Sequence, residues 1–306
     1  YHILVASSAD LLAQEKGDIW DSGKIESDAS QWIAYQGKPL KRNARYYWKV
    51  KVYTNRGEAD WSAPAFWSMG LLNEADWQGQ WIGLDRTTPG DSETQWSRLA
   101  ARYLRKEFAL SKEVKRATVH IAGMGLYELF INGQRIGDQV LAPAPTDYRK
   151  TILYNTYDVT PQLRKENAIG VTLGNGRFYT MRQNYKPYKI PTFGYPKLRL
   201  NLIVEYMDGS KETIATNTSW KLTTEGAIRS NNEYDGEEYD ARKELGNWTQ
   251  SGYDDKSWIA AQRVSIPSGT LRAQIMPGMK VMDTLKPVSI QKLGDKYILD
   301  FGQNMA

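Results

Sequence analysis

The sequence predicts an all-β chain built from sandwich modules, and three observations carry that prediction. Apolar and polar side chains alternate with a period of two in run after run, turn signals punctuate the runs, and no stripe at helical spacing lasts three turns. The ring content agrees: 11 Trp and 19 Tyr stand against 6 Phe, and amphipathic rings suit half-buried β surfaces as well as sugar-binding faces.

Composition narrows the function classes. With 306 residues, 41% of them hydrophobic and 25% charged, the chain is ordinary globular material and long enough for two or three cores. No stretch approaches the roughly 18 to 20 consecutive apolar residues that a membrane helix needs, so no membrane span is expected. Cysteine is absent, which removes disulfides, thiolate metal sites and thiol catalysis together. Only His2 and His120 offer an imidazole, which argues against a Ser-His-Asp hydrolase. The net charge of +5 is spread, with Lys and Arg alternating with Asp and Glu, so no nucleic-acid partner is expected.

Residues 1–72 read as a first sandwich. Tyr1 to Ser8 look like a strand entered partway, without an initiating Met or a leader pattern, so a partial chain is expected. Trp20-Asp21-Ser22-Gly23 follows. In the strand Tyr46 to Tyr53, Tyr46, Trp48, Val50 and Val52 share one face, with Tyr47, Lys49 and Lys51 opposite. A turn falls at Asn55-Arg56-Gly57. Trp61-Ser62-Ala63-Pro64 resembles the edge motif of fibronectin-like modules, where stacked Trp and Arg side chains brace a strand. Residues 73–100 read as a linker carrying Trp77, Trp81 and a polar run from Thr87 to Thr94.

Residues 101–270 read as a larger sandwich. On Thr118 to Ile121, His120 is out of phase with Val119 and Ile121 and is expected at the surface or rim. Asn132-Gly133 after Tyr127 to Ile131, and Asp208-Gly209 after Val204 to Tyr206, are two-residue hairpin signals. Thr160 to Arg164 can start one helical turn. Leu198, Leu200, Leu202, Val204 and Tyr206, with Arg199 and Asn201 opposite, predict a half-buried strand. Asn184 to Tyr195 is a long aromatic insertion in which Tyr185, Tyr188, Phe193 and Tyr195 are candidates to pack against a neighbouring domain or edge its cleft. Residues 271–306 read as the truncated start of another β domain. Its strands, Lys280 to Leu285 and Tyr297 to Phe301, carry apolar faces that two strands cannot cover, and further chain is expected to cover them.

Six motifs in order then match a known family: Gly125-Leu126-Tyr127-Glu128-Leu129-Phe130-Ile131-Asn132-Gly133, Thr146-Asp147-Tyr148-Arg149-Lys150, Tyr157-Asp158-Val159-Thr160, Leu173-Gly174-Asn175-Gly176, Tyr234 to Arg242, and the closing Leu285-Lys286-Pro287-Val288 with Asp300 to Ala306. The larger sandwich resembles the amino-terminal jelly-roll domain of bacterial α-L-rhamnosidases, glycoside hydrolase family 78, and residues 1–72 resemble a fibronectin type III-like module. The resemblance implies hydrolysis of terminal α-L-rhamnosyl groups with inversion, by carboxylates on a downstream (α/α)6 barrel. No long-helix region of that kind occurs here, so these residues alone are expected to be inactive, with no catalytic residue among them. The implied partners are a rhamnose-containing glycan and the protein's own downstream catalytic domain. A secreted or periplasmic home fits such an enzyme, although a chain without cysteine suits the cytoplasm equally. The alternative is a stand-alone rhamnose-binding module without catalysis.

Two candidate sites follow. Asp147, Tyr148, Asn175, Arg177 and Tyr179 lie at strand ends where a jelly roll presents its loops. They combine bidentate partners for vicinal hydroxyls with rings for an apolar sugar face, and the resemblance adds that some relatives bind rhamnose here with a calcium ion. Pro145 and Arg177 stand where the family usually has Trp. The second candidate, Asp235, Glu237 and Asp240, belongs to an acidic loop with Glu233, Glu238 and Arg242. It could hold a hard cation, calcium above all, form ion pairs, meet a sugar hydroxyl, or remain a solvated turn. No cofactor is required by either reading. Gly174-Asn175-Gly176 lacks the following Lys and helix of a phosphate loop.

Overall fold

The computed structural model describes residues 1–88, 99–180, 193–266 and 268–304. The first module contains β1 (His2–Ala6), α1 (Ala9–Ala13), β2 (Trp20–Asp21), β3 (Arg45–Lys51), β4 (Tyr53–Thr54), β5 (Gly57–Glu58) and β6 (Ala65–Ser68). Four of its strands form an antiparallel sheet in the order β2-β1-β3-β6, and β4-β5 is a separate hairpin. Ser8 caps α1 by accepting from the Leu11 amide, a signal too short for periodicity to announce. Both faces of the sheet are used: Ile3, Val5 and Tyr46 pack on one, Leu4, Ala6 and Leu12 on the other. The expected brace exists with Lys in place of Arg, since the ammonium groups of Lys49 and Lys51 lie 4.9 and 5.4 Å from the Trp61 ring.

The larger body is two packed sheets. The strands are β7 (Ile82–Gly83), β8 (Arg102–Ala109), β9 (Val114–Met124), β10 (Leu126–Ile131), β11 (Gln134–Arg135), β12 (Thr151–Asp158), β13 (Glu166–Gly174), β14 (Lys197–Tyr206), β15 (Lys211–Ala215), β16 (Lys221–Thr223), β17 (Ile228–Asn232), β18 (Gly236–Tyr239), β19 (Ile259–Ala260), β20 (Gln262–Arg263) and β21 (Thr270–Ala273). One sheet runs β11-β10-β13-β8-β16-β19 and the other β20-β7-β14-β9-β12-β21, with β15 also on β14. Between them lies the main core, drawn from alternate positions such as Leu104, Val119, Ile121, Leu129, Val171, Leu173, Leu200 and Leu202. β21 joins β12 in parallel, so the larger sheet continues through Ala273. Beyond it, β22 (Ser289–Leu293) and β23 (Lys296–Asp300) form an isolated hairpin.

Turn chemistry explains the connections. Asn132 and Gly133, at φ 51° and 82°, make the two-residue hairpin expected between β10 and β11. Asp208-Gly209 instead sits in a three-residue loop: Tyr206 accepts from Gly209 and donates to Ser210, and Glu205 pairs with Lys211. Thr160–Gln162 forms the single helical turn predicted there.

Two expectations about burial are corrected. β14 is not half-buried, because Arg199 and Asn201 are covered as well as the leucines. The segment after Asn73 lies over that outer face. Asn201 Oδ1 accepts from the Gly79 amide at 2.8 Å, Arg199 Nε donates to the Gly79 carbonyl at 2.6 Å, and Glu74 pairs with the same guanidinium. Trp77 and Trp81 complete a second core there with Ala122, Met124, Ile152 and Tyr154. The described part of residues 73–100 is therefore packed cover. His120 is likewise not at a surface or rim. It is 0% exposed, because the first module closes over the outer face of β9 at that point. Its ring bonds Asn43 Oδ1 at 3.1 Å and Thr156 Oγ1 at 2.9 Å. Ion pairs Arg45–Asp158 and Arg116–Glu205 line the same seam.

Candidate functional site

The end of the sandwich where β13 leaves the sheet gathers most of the expected sugar-site residues. Gly174-Asn175-Gly176 makes a tight exit, in which the Asn175 carbonyl accepts from the Phe178 and Tyr179 amides. Gly176 at φ 49° adopts the left-handed backbone there. Asn175 itself is buried: its Nδ2 donates to the Leu99 carbonyl at 2.8 Å and its amide donates to Asn231 Oδ1 at 2.6 Å. That geometry ties the strand exit to the β17-β18 hairpin.

Tyr148 is also buried, with Phe178 5.1 Å and Phe193 5.2 Å from its ring, both edge-on. Burial pushes its phenol up to about 12, so it stays neutral and serves as a wedge, not as an open platform. Phe178, wholly buried at the centre of this knot, was not singled out from the sequence because one aromatic in a loop has no period to expose it. Phe193 closes the knot from the expected insertion, stacked on Phe178 at 5.8 Å. Tyr195 stacks on Tyr179 at 5.9 Å. Tyr185 and Tyr188 lie outside the described residues.

Two charged pairs face outward at this end. Asp147 is bound to Arg149 at 3.1 Å, and that hydrogen bond holds its carboxyl below the usual range. Arg177 Nη1 reaches both Glu233 oxygens, at 3.3 and 3.2 Å, and lies 3.4 Å from the Tyr234 hydroxyl. The structure thus joins the two candidate sites, which the sequence presented as separate. Arg177 and Glu233 remain 42% and 40% exposed, the accessible edge of an otherwise buried assembly.

The acidic loop does not converge on an ion. Asp235 accepts from Asn232 Nδ2 at 2.9 Å, Glu237 lies exposed on β18 opposite Asn231, and Asp240 lies beyond the strand. Asp240 caps the following turn and pairs with Arg242 through two contacts of 2.8 Å. The Arg242 hydrogen bond lowers its carboxyl to about 2. Strand alternation and a local Arg have pulled the trio apart, and among the described residues no group of three or more His, Asp or Glu side chains could hold a metal ion. Among them, too, no helix is long and apolar enough to cross a membrane.

Residues 112–283 match the family model described as the α-L-rhamnosidase N-terminal domain. The chain belongs to the α-L-rhamnosidase family. Residues 1–73 match the model for the Rha78A-like N-terminal immunoglobulin domain, which makes the first module immunoglobulin-like; the finer fibronectin likeness has no support of its own. The whole chain is 41% identical to an α-L-rhamnosidase of Formosa agariphila, spanning 34% of that protein. Among solved structures, the α-L-rhamnosidase of Dictyoglumus thermophilum superposes with a TM-score of 0.87 at 39% identity, over 99% of this chain and 34% of that one. The Aspergillus terreus enzyme superposes with a TM-score of 0.84 at 32% identity, over 99% and 34%. The rhamnosidase-like chain therefore spans about a third of the length of the relatives it matches.

Proposed function

We propose that this chain is the non-catalytic N-terminal accessory region of an α-L-rhamnosidase, which removes terminal α-L-rhamnosyl groups from a rhamnose-containing glycan with inversion. The observation that carries the reading is the match of the entire chain to the front third of such enzymes. Site chemistry supports it. Inverting hydrolysis needs two carboxyl groups roughly 6.5 to 9.5 Å apart, one with a raised pKa so that it can donate a proton. At the jelly-roll edge Asp147 and Asp240 are shifted the other way by their arginines, and Glu233 is committed to Arg177. The acid and base then belong to a catalytic domain elsewhere in the enzyme. The apolar β22-β23 hairpin is the surface on which that domain docks. A glycan-degrading role favours a secreted or periplasmic home.

The test is an assay on an aryl α-L-rhamnoside. The 306-residue chain gives no turnover; turnover that disappears when one of its own carboxylates is replaced would overturn the reading. A second reading, a rhamnose-binding module, draws on the exposed Arg177–Glu233 pair with Tyr234 beside it, flanked by Asp147 and Tyr179 and built on buried Tyr148 and Asn175. Calorimetric titration with L-rhamnose, with and without calcium, separates the two: saturable binding lost in Arg177→Ala supports the module.

A further inference from the structure

The strap between Gly23 and Leu40 in the first module carries no regular secondary structure. Trp32 stands in it at φ 59°, the left-handed region, where a bulky L-residue crowds the neighbouring carbonyl at a cost of about 1 to 2 kcal/mol. Its side chain is 97% exposed, so packing within the described chain does not offset that cost. Trp32 lines a cavity of about 200 Å3 whose walls also include Trp20, Ile25, Gln31, Ile33 and Gln36. Trp20 is fixed there by an edge-on contact with Tyr35 at 5.3 Å, and the Tyr35 hydroxyl donates to the Lys38 carbonyl at 2.5 Å. None of the lining side chains is Lys, Arg, Asp or Glu; Tyr1 also lines the cavity, and its N-terminal ammonium donates to the Ile25 carbonyl at 2.9 Å. Gln31 and Gln36 are exposed.

We propose that this cleft binds a neutral saccharide, with the Trp32 indole against the apolar face of one pyranose ring and the Gln31 and Gln36 carboxamides meeting its hydroxyls. Lining side chains without charge, with the Tyr1 ammonium taken up by the Ile25 carbonyl, suit an uncharged ligand, and the mixture of indole and carboxamide selects one with an apolar face and a polar rim. The cavity is smaller than the ~300 to 1,000 Å3 of sites for drug-sized ligands, which suits a single sugar unit. A protein partner fits less well. Stable interfaces cover about 800 Å2 on each side around an apolar centre, and Trp32 is the only large apolar side chain standing exposed between Gly23 and Leu40. The choice of a saccharide rests on the rhamnosidase reading, but the site is separate from the Arg177 edge and can fail on its own.

Titrating the 306-residue chain with methyl α-L-rhamnopyranoside, methyl α-D-glucopyranoside and sodium D-glucuronate, read by calorimetry and tryptophan fluorescence, tests the proposal. At least one neutral glycoside binds saturably and shifts the emission. Trp32→Ala weakens that binding about tenfold, the value of one ring contact near 1.4 kcal/mol. Trp32→Tyr keeps most of it and Arg177→Ala leaves it unchanged. Trp32→Gly serves as the folding control: it relieves the left-handed strain, so the variant melts higher than the parent while losing the sugar. The proposal is overturned by the absence of saturable binding to either neutral glycoside, by binding that survives Trp32→Ala, or by preference for the glucuronate. Binding lost only in Arg177→Ala also overturns it, while leaving the accessory-region assignment untouched.

Discussion

His120 joins two modules through a ring held neutral. Asn43 Oδ1 can only accept, so Nε2 carries the proton and donates to it, and Nδ1 accepts from the Thr156 hydroxyl. Trp77 and Tyr154 press edge-on against the ring. Burial, with help from the Arg116 charge, lowers its pKa from 6.5 to about 4. The charged groups lining the same seam are the pairs Arg116–Glu205 and Arg45–Asp158. Between pH 6.5 and 4 the unfolded chain therefore binds a proton that the folded chain refuses, so stability is full above pH 6.5 and declines as the pH drops toward 4. The loss from this one ring is about 3 kcal/mol. Asp158 and Glu205 have lowered pKa values: burial raises both, but the Thr160 hydrogen bonds, with Arg45, outweigh it at Asp158, and Arg116 outweighs it at Glu205; what they contribute is lost as the pH falls further, in the same direction. Urea midpoints at pH 7.5, 5.5 and 4.5 should fall steadily in the parent. In His120→Gln, which keeps a donor and an acceptor but cannot titrate, the decline between 7.5 and 5.5 should be shallower; an unchanged slope would remove His120 as its cause.

At the scale of elements, strand phase was legible and strand cover was not. Leu198, Leu200 and Leu202 face the inter-sheet core as their alternation predicted, because a pleat with period two leaves no other choice. The cover over Arg199, Asn201 and His120 comes from residues 71–81 and the first module, aperiodic segments with no sequence signal of where they dock. The opposite sheet repeats the pattern. Trp248 and Trp258 lie over Tyr103 on its outer face, and buried Arg105 staples that cover through the Trp248 carbonyl at 2.9 Å, the Gln250 carbonyl at 3.0 Å, Glu107 and Asp255. The jelly-roll edge behaves likewise: Asp147, Asn175 and Arg177 were legible as loop residues at strand ends. The pairing of Arg177 with Glu233 depends on how a hairpin 56 residues away folds back. Two substitutions test the cover. A Cβ on Gly170 would fall 2.5 Å from Thr249 Cγ2 and 2.9 Å from Trp248 Cζ3, so Gly170→Ala should destabilise by about 1 to 3 kcal/mol through overpacking. Arg105→Ala should cost about 3 kcal/mol by stranding two carbonyls and two carboxylates. Denaturant melts followed by tryptophan fluorescence read both, and a neutral result for either would mean that residues 248–258 are not held as a packed layer.

For the whole molecule, the question is what the β22-β23 hairpin is for. A two-stranded ribbon is marginal in water, and this one leaves Ile290, Leu293, Tyr297, Ile298 and Leu299 exposed. Its link to the larger body includes the Val140–Met279 backbone bond and the Lys280–Asp138 ion pair, contacts at the surface. Apolar side chains open on this scale add little to the stability of the chain that carries them, and they favour association. Ile290 and Leu299 are direct cross-strand partners, so replacing them together with Lys and Glu preserves a favourable pair while removing the apolar patch. In the 306-residue chain the double substitution should change the unfolding free energy by no more than about 0.5 kcal/mol and reduce self-association in sedimentation. Introduced into a rhamnosidase of the relatives' full length, the same change should lower the melting temperature and weaken activity, since each buried side chain of this size is worth about 1.5 to 3 kcal/mol. The contrast between the two hosts is the measurement. Equal tolerance in both would mean that the hairpin meets no catalytic domain, and the accessory region would then have to be joined to its enzyme through some other face.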